Sequence, residues 1–178
     1  LPESLIEYIY DFGALSPEAE RAYVLAMLQM ELPFSSRTQP DQPTLTPRVS
    51  RLFVGLCELI LAAQSYIRDA FREQSAVSLR DVKRCIGLYR WFWQDLCARN
   101  HVNPSISELD QDKHIKIARR CAVLAIAHCY YCRLSVERPD FLDMIETKTK
   151  TSYSLVLQSL TATEFEDVLL DEQHFYTR

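Results

Sequence analysis

Glycine is nearly absent from this 178-residue chain: Gly13, Gly55 and Gly87 are the only three. Glycines so placed cannot build a phosphate-cradling G-x-x-x-x-G-K-[ST] loop or a G-x-G-x-x-G turn, so the chain alone offers no backbone cradle for a triphosphate. The same scarcity argues against a β-rich fold, whose tight hairpin turns demand glycine. Long apolar runs are also missing; the longest, Cys121 to Ala127, is far too short to span a bilayer. There is no basic stripe interleaved with aromatics, and a net charge of −4 gives no reason to expect nucleic acid as a partner. No secretory leader is expected at Leu1 to Tyr10, which carries Glu3 and Glu7 without a basic lead. The first residue is not methionine, so the chain is expected to be a piece of something longer.

What remains is helix. Hydrophobic residues at 48% and charged residues at 25% suit a globular protein, and the length suits a single domain over 1–178 with a sizeable core. After a short segment at 2–10 and a turn at Asp11–Gly13, Ser16 caps a helix with Pro17 first and Glu18 and Glu20 in its opening turn. Ala19, Tyr23, Ala26, Met27 and Met30 are predicted to line its inner face. Residues 32–46, with Pro33, Pro40 and Pro43, read as a loose surface loop. Thr46 and Pro47 open a long helix carrying Val49, Leu52, Phe53, Leu56, Leu59, Ile60, Ala63, Ile67 and Phe71.

Another helix, opened by Ser78, runs to about Ala98. A loop at 101–107 leads to a Ser107/Asp110 capping pair and a helix to about Ser135. A short helix from Pro139 to Met144, a polar Thr/Lys stretch and a last helix capped by Thr163 with Glu166 complete an all-α bundle of about seven helices.

Histidine and cysteine offer little chemistry in this setting. Cys121, His128 and Cys132 share a helical face, but Cys129 points about 100° from His128, and zinc ligands usually sit on turns rather than inside an apolar helix. No metal site is therefore expected. All six cysteines (57, 85, 97, 121, 129 and 132) read as free core thiols, which implies a reducing, cytoplasmic compartment. His101, His114, His128 and His174 are scattered, and pairs such as Glu164/Glu166 read as solvated, as do Arg119 and Arg120, so no freestanding catalytic site is expected. Trp91 and Trp93, with Tyr89, Arg90 and Phe92, make an aromatic turn that cannot all face one core. Trp91 either packs within the domain, the favoured reading, or reaches a neighbouring one.

The stretch with most to say is Val77-Ser78-Leu79-Arg80-Asp81-Val82-Lys83-Arg84. Ser78 and Asp81 form a capping box, and Val82, Cys85, Ile86, Tyr89, Phe92, Trp93 and Leu96 recur at helical spacing. Arg80 then lies in the first turn, beside the positive end of the helix dipole, a place that suits an anion. The plainer reading is a solvated arginine, or one paired with Asp81 or Glu73.

Residues 75–94, centred on VSLRDVKRCIGLYRWFWQ, resemble the lid helix of the AAA+ modules in mysterin-like giant RING-type ubiquitin ligases, which are built around dynein-like ATPase units. Tyr10 to Ser16, with Glu20 and Tyr23, is similar to the family's approach to that lid, and Ala122 to Tyr130, preceded by Asp112 to Ile117, to a later helix. With the Leu56–Phe71 helix, the resemblance covers about two thirds of the chain.

It implies an AAA+ lid that closes over ATP and magnesium held by a P-loop core before Leu1, with another module or linker after Arg178. Arg80 would take the role called the second sensor, with Arg84 one turn on as a helper. Where the family more often has an acid, this chain has Lys83. The whole ligase would hydrolyse or bind ATP and transfer ubiquitin with a ubiquitin-conjugating enzyme through parts not present here; the fragment alone would bind no cofactor and catalyse nothing. The alternative is a standalone all-α scaffold that binds a partner helix. An independent enzyme is the least supported reading.

Overall fold

The computed structural model describes residues 15–32, 47–104, 112–152, 154 and 156–176. Among them are six α-helices and no strand. They are α1 (Pro17–Glu31), α2 (Pro47–Phe71), α3 (Leu79–Arg99), α4 (Asp112–Cys129), α5 (Arg138–Lys150) and α6 (Ala162–Tyr176), with single 3-10 turns at Gln74–Ala76 and Tyr131–Arg133. The count is one fewer than the expected seven, because the predicted segment at 2–10 lies outside the described residues. So do the Asp11–Gly13 turn, most of the 32–46 loop, the Thr46 start of α2 and the Ser107/Asp110 cap.

Packing centres on α3 against α4, with α1 laid across α2 and α3, α5 on α2, and α6 on α4 and α5. The helix starts follow their capping chemistry. Ser16 Oγ accepts from the Ala19 N–H at 3.2 Å, ahead of Pro17. The predicted inner faces of α2 and α3 are buried as expected, except that Phe71 in the last turn of α2 is exposed. α2 is the one described helix long and apolar enough to cross a membrane by composition, yet over half of that stretch, 56%, is buried in this core.

Four readings are corrected. In α1 the buried side chains are Val24, Met27 and Leu28, whereas Ala19, Tyr23, Ala26 and Met30 face outward; Tyr23 is 54% and Met30 74% exposed. Two apolar stripes compete on that helix, and packing against α2 and α3 gives the core to the wholly aliphatic Val24/Leu28 stripe.

Helix α4 stops at Cys129 rather than near Ser135. Tyr130 leaves helical geometry (φ −127°, ψ −59°), and the shifted phase sends Tyr130 and Tyr131 inward in place of Cys132. Tyr131 packs edge-on to Phe165 of α6, centroids 5.3 Å apart, so the break seats the last helix.

α5 continues to Lys150, taking in the stretch read as polar. Its spacing of Phe141, Ile145 and Thr149 stays on the core, and Thr149 Oγ1 accepts from the Leu160 N–H at 3.2 Å. Finally, α6 is capped two residues earlier than predicted, by Thr161, whose Oγ1 accepts from the Glu164 N–H at 3.1 Å.

Scarce glycine leaves its mark at two helix ends. Arg72 (φ 51°) and His101 (φ 53°) adopt the left-handed conformation after α2 and α3. Beyond each, an amide reaches back across the end: Glu73 N–H to Arg68 O at 3.0 Å, and Val102 N–H to Cys97 O at 2.9 Å. This is the closure that glycine usually makes.

Candidate functional site

The N-terminus of α3 is held from three sides. Within it, Ser78 Oγ accepts from the Arg80 N–H at 3.3 Å, and Asp81 Oδ2 accepts from the Ser78 N–H at 2.8 Å, completing the predicted box. From beyond α4, the Arg133 guanidinium grips Asp81 Oδ1 and donates to the Ala76 carbonyl at 3.2 Å. From α2, Gln64 Nε2 donates to the Ser78 carbonyl at 3.0 Å. Gln64 is fully buried and also accepts from Arg68 at 3.5 Å, while Arg68 forks onto Glu20 of α1 at 2.7 and 3.2 Å. One polar network thus ties α1, α2 and the end of α4 to the first turn of α3.

Asp81 feels opposed influences. Burial works to raise its pKa, and the Ser78 N–H and the Arg133 guanidinium outweigh that, holding the carboxyl below its ordinary value of 3.8. Its commitment to Arg133 has a consequence for Arg80. Both carboxylates that could have neutralised Arg80 are engaged elsewhere, since Glu73 accepts from Ser75 Oγ. Arg80 and Arg84 are exposed one turn apart on the same face, and neither forms an ion pair with a described residue. Of the two plain readings of Arg80, the solvated one describes the geometry and the locally paired one does not. The first-turn amides are less available than expected, because the Arg80 N–H is satisfied by Ser78 and Asp81 already answers the dipole. What this end offers an anion is the guanidinium.

Similarity to known proteins extends over most of the chain. The sequence is 36% identical over 144 residues, 79% of its length, to E3 ubiquitin-protein ligase RNF213 of Homo sapiens. It is 30% identical over 139 residues, 78% of its length, to E3 ubiquitin-protein ligase rnf213-beta of Danio rerio, and 32% over 114 residues, 64% of its length, to RNF213 of Mus musculus. RNF213 is mysterin. The chain is mysterin-like. It spans about 2% of the length of these curated relatives. No family model and no solved structure matches it.

Elsewhere in this mysterin-like chain the polar groups serve the fold. Cys121 and Cys129 are buried, whereas His128 and Cys132 are exposed, so the candidate zinc ligands are not brought together; among the described residues no three His, Cys, Asp or Glu side chains gather as a metal site. Reading Cys132 as a core thiol is thereby corrected: the end of α4 turns it outward, as it does His128. His114 is buried, stacks on Trp93 and meets the Asn103 carbonyl at 3.1 Å, and His128 stacks on Phe92. Trp93 Nε1 donates to the Pro104 carbonyl at 3.2 Å. His174 lies where side chains are not described. Trp91, against expectation, is 47% exposed, because it sits opposite the Tyr89/Phe92/Trp93 face.

Sequence reasoning missed Arg119 altogether. It is not solvated: it forks onto Glu164 of α6 and donates to the carbonyls of Val156, Gln158 and Ser159, the last three at 3.1, 2.7 and 3.1 Å. The T-x-x-E pattern of Thr161 and Glu164 marks the helix start, but no local signal names the arginine 45 residues upstream. A cleft of about 580 Å³ lies here between the end of α3, α4 and α6. Three of its lining cations are answered: Arg99 by Asp95, Arg119 by Glu164 and Arg120 by Asp171. It also lies about 24 Å along α3 from Arg80, so its size is no guide to the phosphate-directed end.

Proposed function

We propose that this chain is the helical lid of an AAA+ ATPase module in a mysterin-like ubiquitin ligase, with Arg80 as its phosphate-sensing arginine and Arg84 assisting. The observation that carries the reading is the exposed Arg80 guanidinium, paired with no acid among the described residues, on a first helical turn whose own carboxylate is locked to Arg133. It is supported by relatives that are named E3 ubiquitin-protein ligases. In this reading a P-loop core precedes Leu1 and another module or linker follows Arg178. Magnesium-bound ATP supplies the γ-phosphoryl group whose loss the lid registers.

An exposed guanidinium with no ion-pair partner among the described residues is matched to that task. A charge-assisted fork onto phosphoryl oxygens is strongest where water is excluded, as it is between a lid and a core. Because Arg80 rides on a helix end tied to α1, α2 and Arg133, making or breaking a phosphate bond at its tip moves the bundle as one body. The chain's own residues fit a contributor rather than a holder of nucleotide, since no glycine-rich cradle is present. Ubiquitin transfer, with a ubiquitin-conjugating enzyme, belongs to other parts of such a ligase, in a cytoplasmic setting.

Arg80→Ala tests the reading. In the full-length protein it should lower ATP turnover on the order of a hundredfold, while the 178-residue chain keeps its stability to within about 0.5 kcal/mol. An unchanged turnover sinks the sensor assignment, and an unfolded chain makes Arg80 a structural residue.

The second reading, a scaffold for a partner helix without nucleotide, is favoured by the outward stripe of Ala19, Tyr23, Ala26 and Met30 on α1. A G-x-x-x-x-G-K-[ST] encoded about one ATPase core upstream of Leu1 decides against it.

A further inference from the structure

Where the start of α3 meets the end of α4, two cysteines face each other. The helices run antiparallel, a register read from Asp81 against Arg133 at one end and Trp93 stacked on His114 toward the other. Cys85 lies one turn beyond Asp81 and Cys129 four residues before Arg133, so that register sets the pair opposite. Their side chains meet in a hydrogen bond across the seam. Cys85 and Tyr89 also line a small apolar void with Ala122, Ala125 and Ile126, where alanines on α4 let α3 come close. Both thiols are buried, Cys85 to 2% exposure and Cys129 completely.

The two thiols are not equivalent. Cys85 donates and Cys129 accepts, which pushes the Cys85 thiol up and draws the Cys129 thiol down. The Arg84 and Arg133 guanidiniums add to the fall at Cys129, against burial and the Asp81 carboxylate. Burial without such company sends Cys97 the other way, up to about 11. Cys129 is also the last residue of its helix, with Tyr130 already outside helical geometry, and local opening costs least at a helix end. Cys132, exposed beyond the break, is turned away from the seam. A nucleophilic sulfur, a proton-bearing sulfur against it and a way in are the parts of a dithiol that closes on oxidation.

We propose that Cys129 and Cys85 form a peroxide-sensing dithiol, whose oxidation staples the opening turns of α3 to the end of α4. The Cys129 thiolate attacks hydrogen peroxide: an S–O bond forms, the O–O bond breaks, and the departing hydroxide is protonated to water. Cys85 then gives up its proton and attacks the Cys129 sulfur. The S–S bond forms as the S–O bond breaks, and hydroxide leaves with that proton as a second water. The thiol pair is oxidised by two electrons and one peroxide is reduced by two. In a reducing compartment such a link is transient, a signal rather than a permanent brace. It lies one turn from the Asp81–Arg133 bond and so stiffens the end that carries Arg80, but the chemistry does not depend on the lid reading.

Non-reducing peptide mapping of the full-length protein tests it, after brief treatment with hydrogen peroxide under native conditions and blocking of the remaining thiols. A Cys85–Cys129 cross-link should rise roughly five-fold or more over the untreated protein and vanish with dithiothreitol. It should survive Cys121→Ala and Cys132→Ala and be lost in Cys129→Ala. In Cys85→Ala, dimedone should trap a sulfenic acid on Cys129. The wild-type cross-link is read without any variant, so a substitution that fails to fold cannot excuse a missing link. No link, a link from Cys129 to Cys132, links between molecules through Cys132 alone, or a Cys85–Cys129 link that forms only after denaturation would each overturn the proposal. So would a sulfenic acid trapped on Cys85 in Cys129→Ala and absent from Cys129 in Cys85→Ala. Because the readout is a cross-link and Arg80 is untouched, a failed sensor assignment and a failed dithiol give different results.

Discussion

At the scale of single residues, the polar side chains that matter divide into those with partners and those without, and Asp81 shows how one decides the other. By committing to Arg133 and Ser78 it leaves Arg80 unneutralised. Asp81→Asn should cost about 1–2 kcal/mol at neutral pH, measured by chemical denaturation. The folded pKa lies below 3.8, so the contribution is complete above that value and is lost as pH falls through the folded one. Wild type and variant should therefore converge in strongly acidic solution, and a gap that persists there would mean Asp81 acts by shape rather than charge. Arg80, Asp81 and Ser78 were legible because a capping box is local, three residues wide. Gln64, Arg133 and Arg119 were not, since their partners lie 14, 52 and 45 residues away.

At the scale of elements, α3 was read residue by residue, because its apolar positions leave only one stripe buried. α1 defeated the same reasoning, having two apolar stripes and no pattern to rank them; burial of Val24 and Leu28 was decided by α2 and α3. The stop of α4 carries no glycine or proline, so periodicity ran past it into Cys132. Two glycines in helices now separate by their surroundings. Gly55→Ala should destabilise by about 1–2 kcal/mol, the crowding against Ser154 and Leu157 outweighing the gain in helix propensity. Gly87→Ala should stabilise the 178-residue chain by about 0.5–1 kcal/mol. Thermal unfolding of both variants checks the pair, and equal signs would contradict the packing described for them. Arg119→Ala should cost about 3 kcal/mol and expose α6 to proteolysis, with Arg119→Lys a poor rescue because an ammonium cannot fork.

At the scale of the molecule, thiol reactivity reports the packing. Five cysteines are buried and Cys132 is exposed. Burial raises the Cys57 and Cys97 thiols to about 11. A thiol reagent should modify one cysteine quickly in the native chain and six after denaturation; fast reaction of several would show a looser core. Contacts near in sequence and contacts far apart are also segregated in this bundle. The tightest packing joins neighbours, α3 and α4, while α5 meets α2 only across the whole bundle, through Tyr66 OH to the Glu137 carbonyl at 2.9 Å, 71 residues apart, and the Tyr66–Phe141 edge contact. Loop-closure entropy then orders assembly in time, with the α3–α4 pair condensing early and the α2–α5 seam closing last. Tyr66→Phe should therefore speed unfolding and leave the refolding rate nearly untouched, a φ-value near zero, whereas a truncation such as Ile86→Val in the α3–α4 contact should slow refolding itself. The seam that closes last is also the one that opens first.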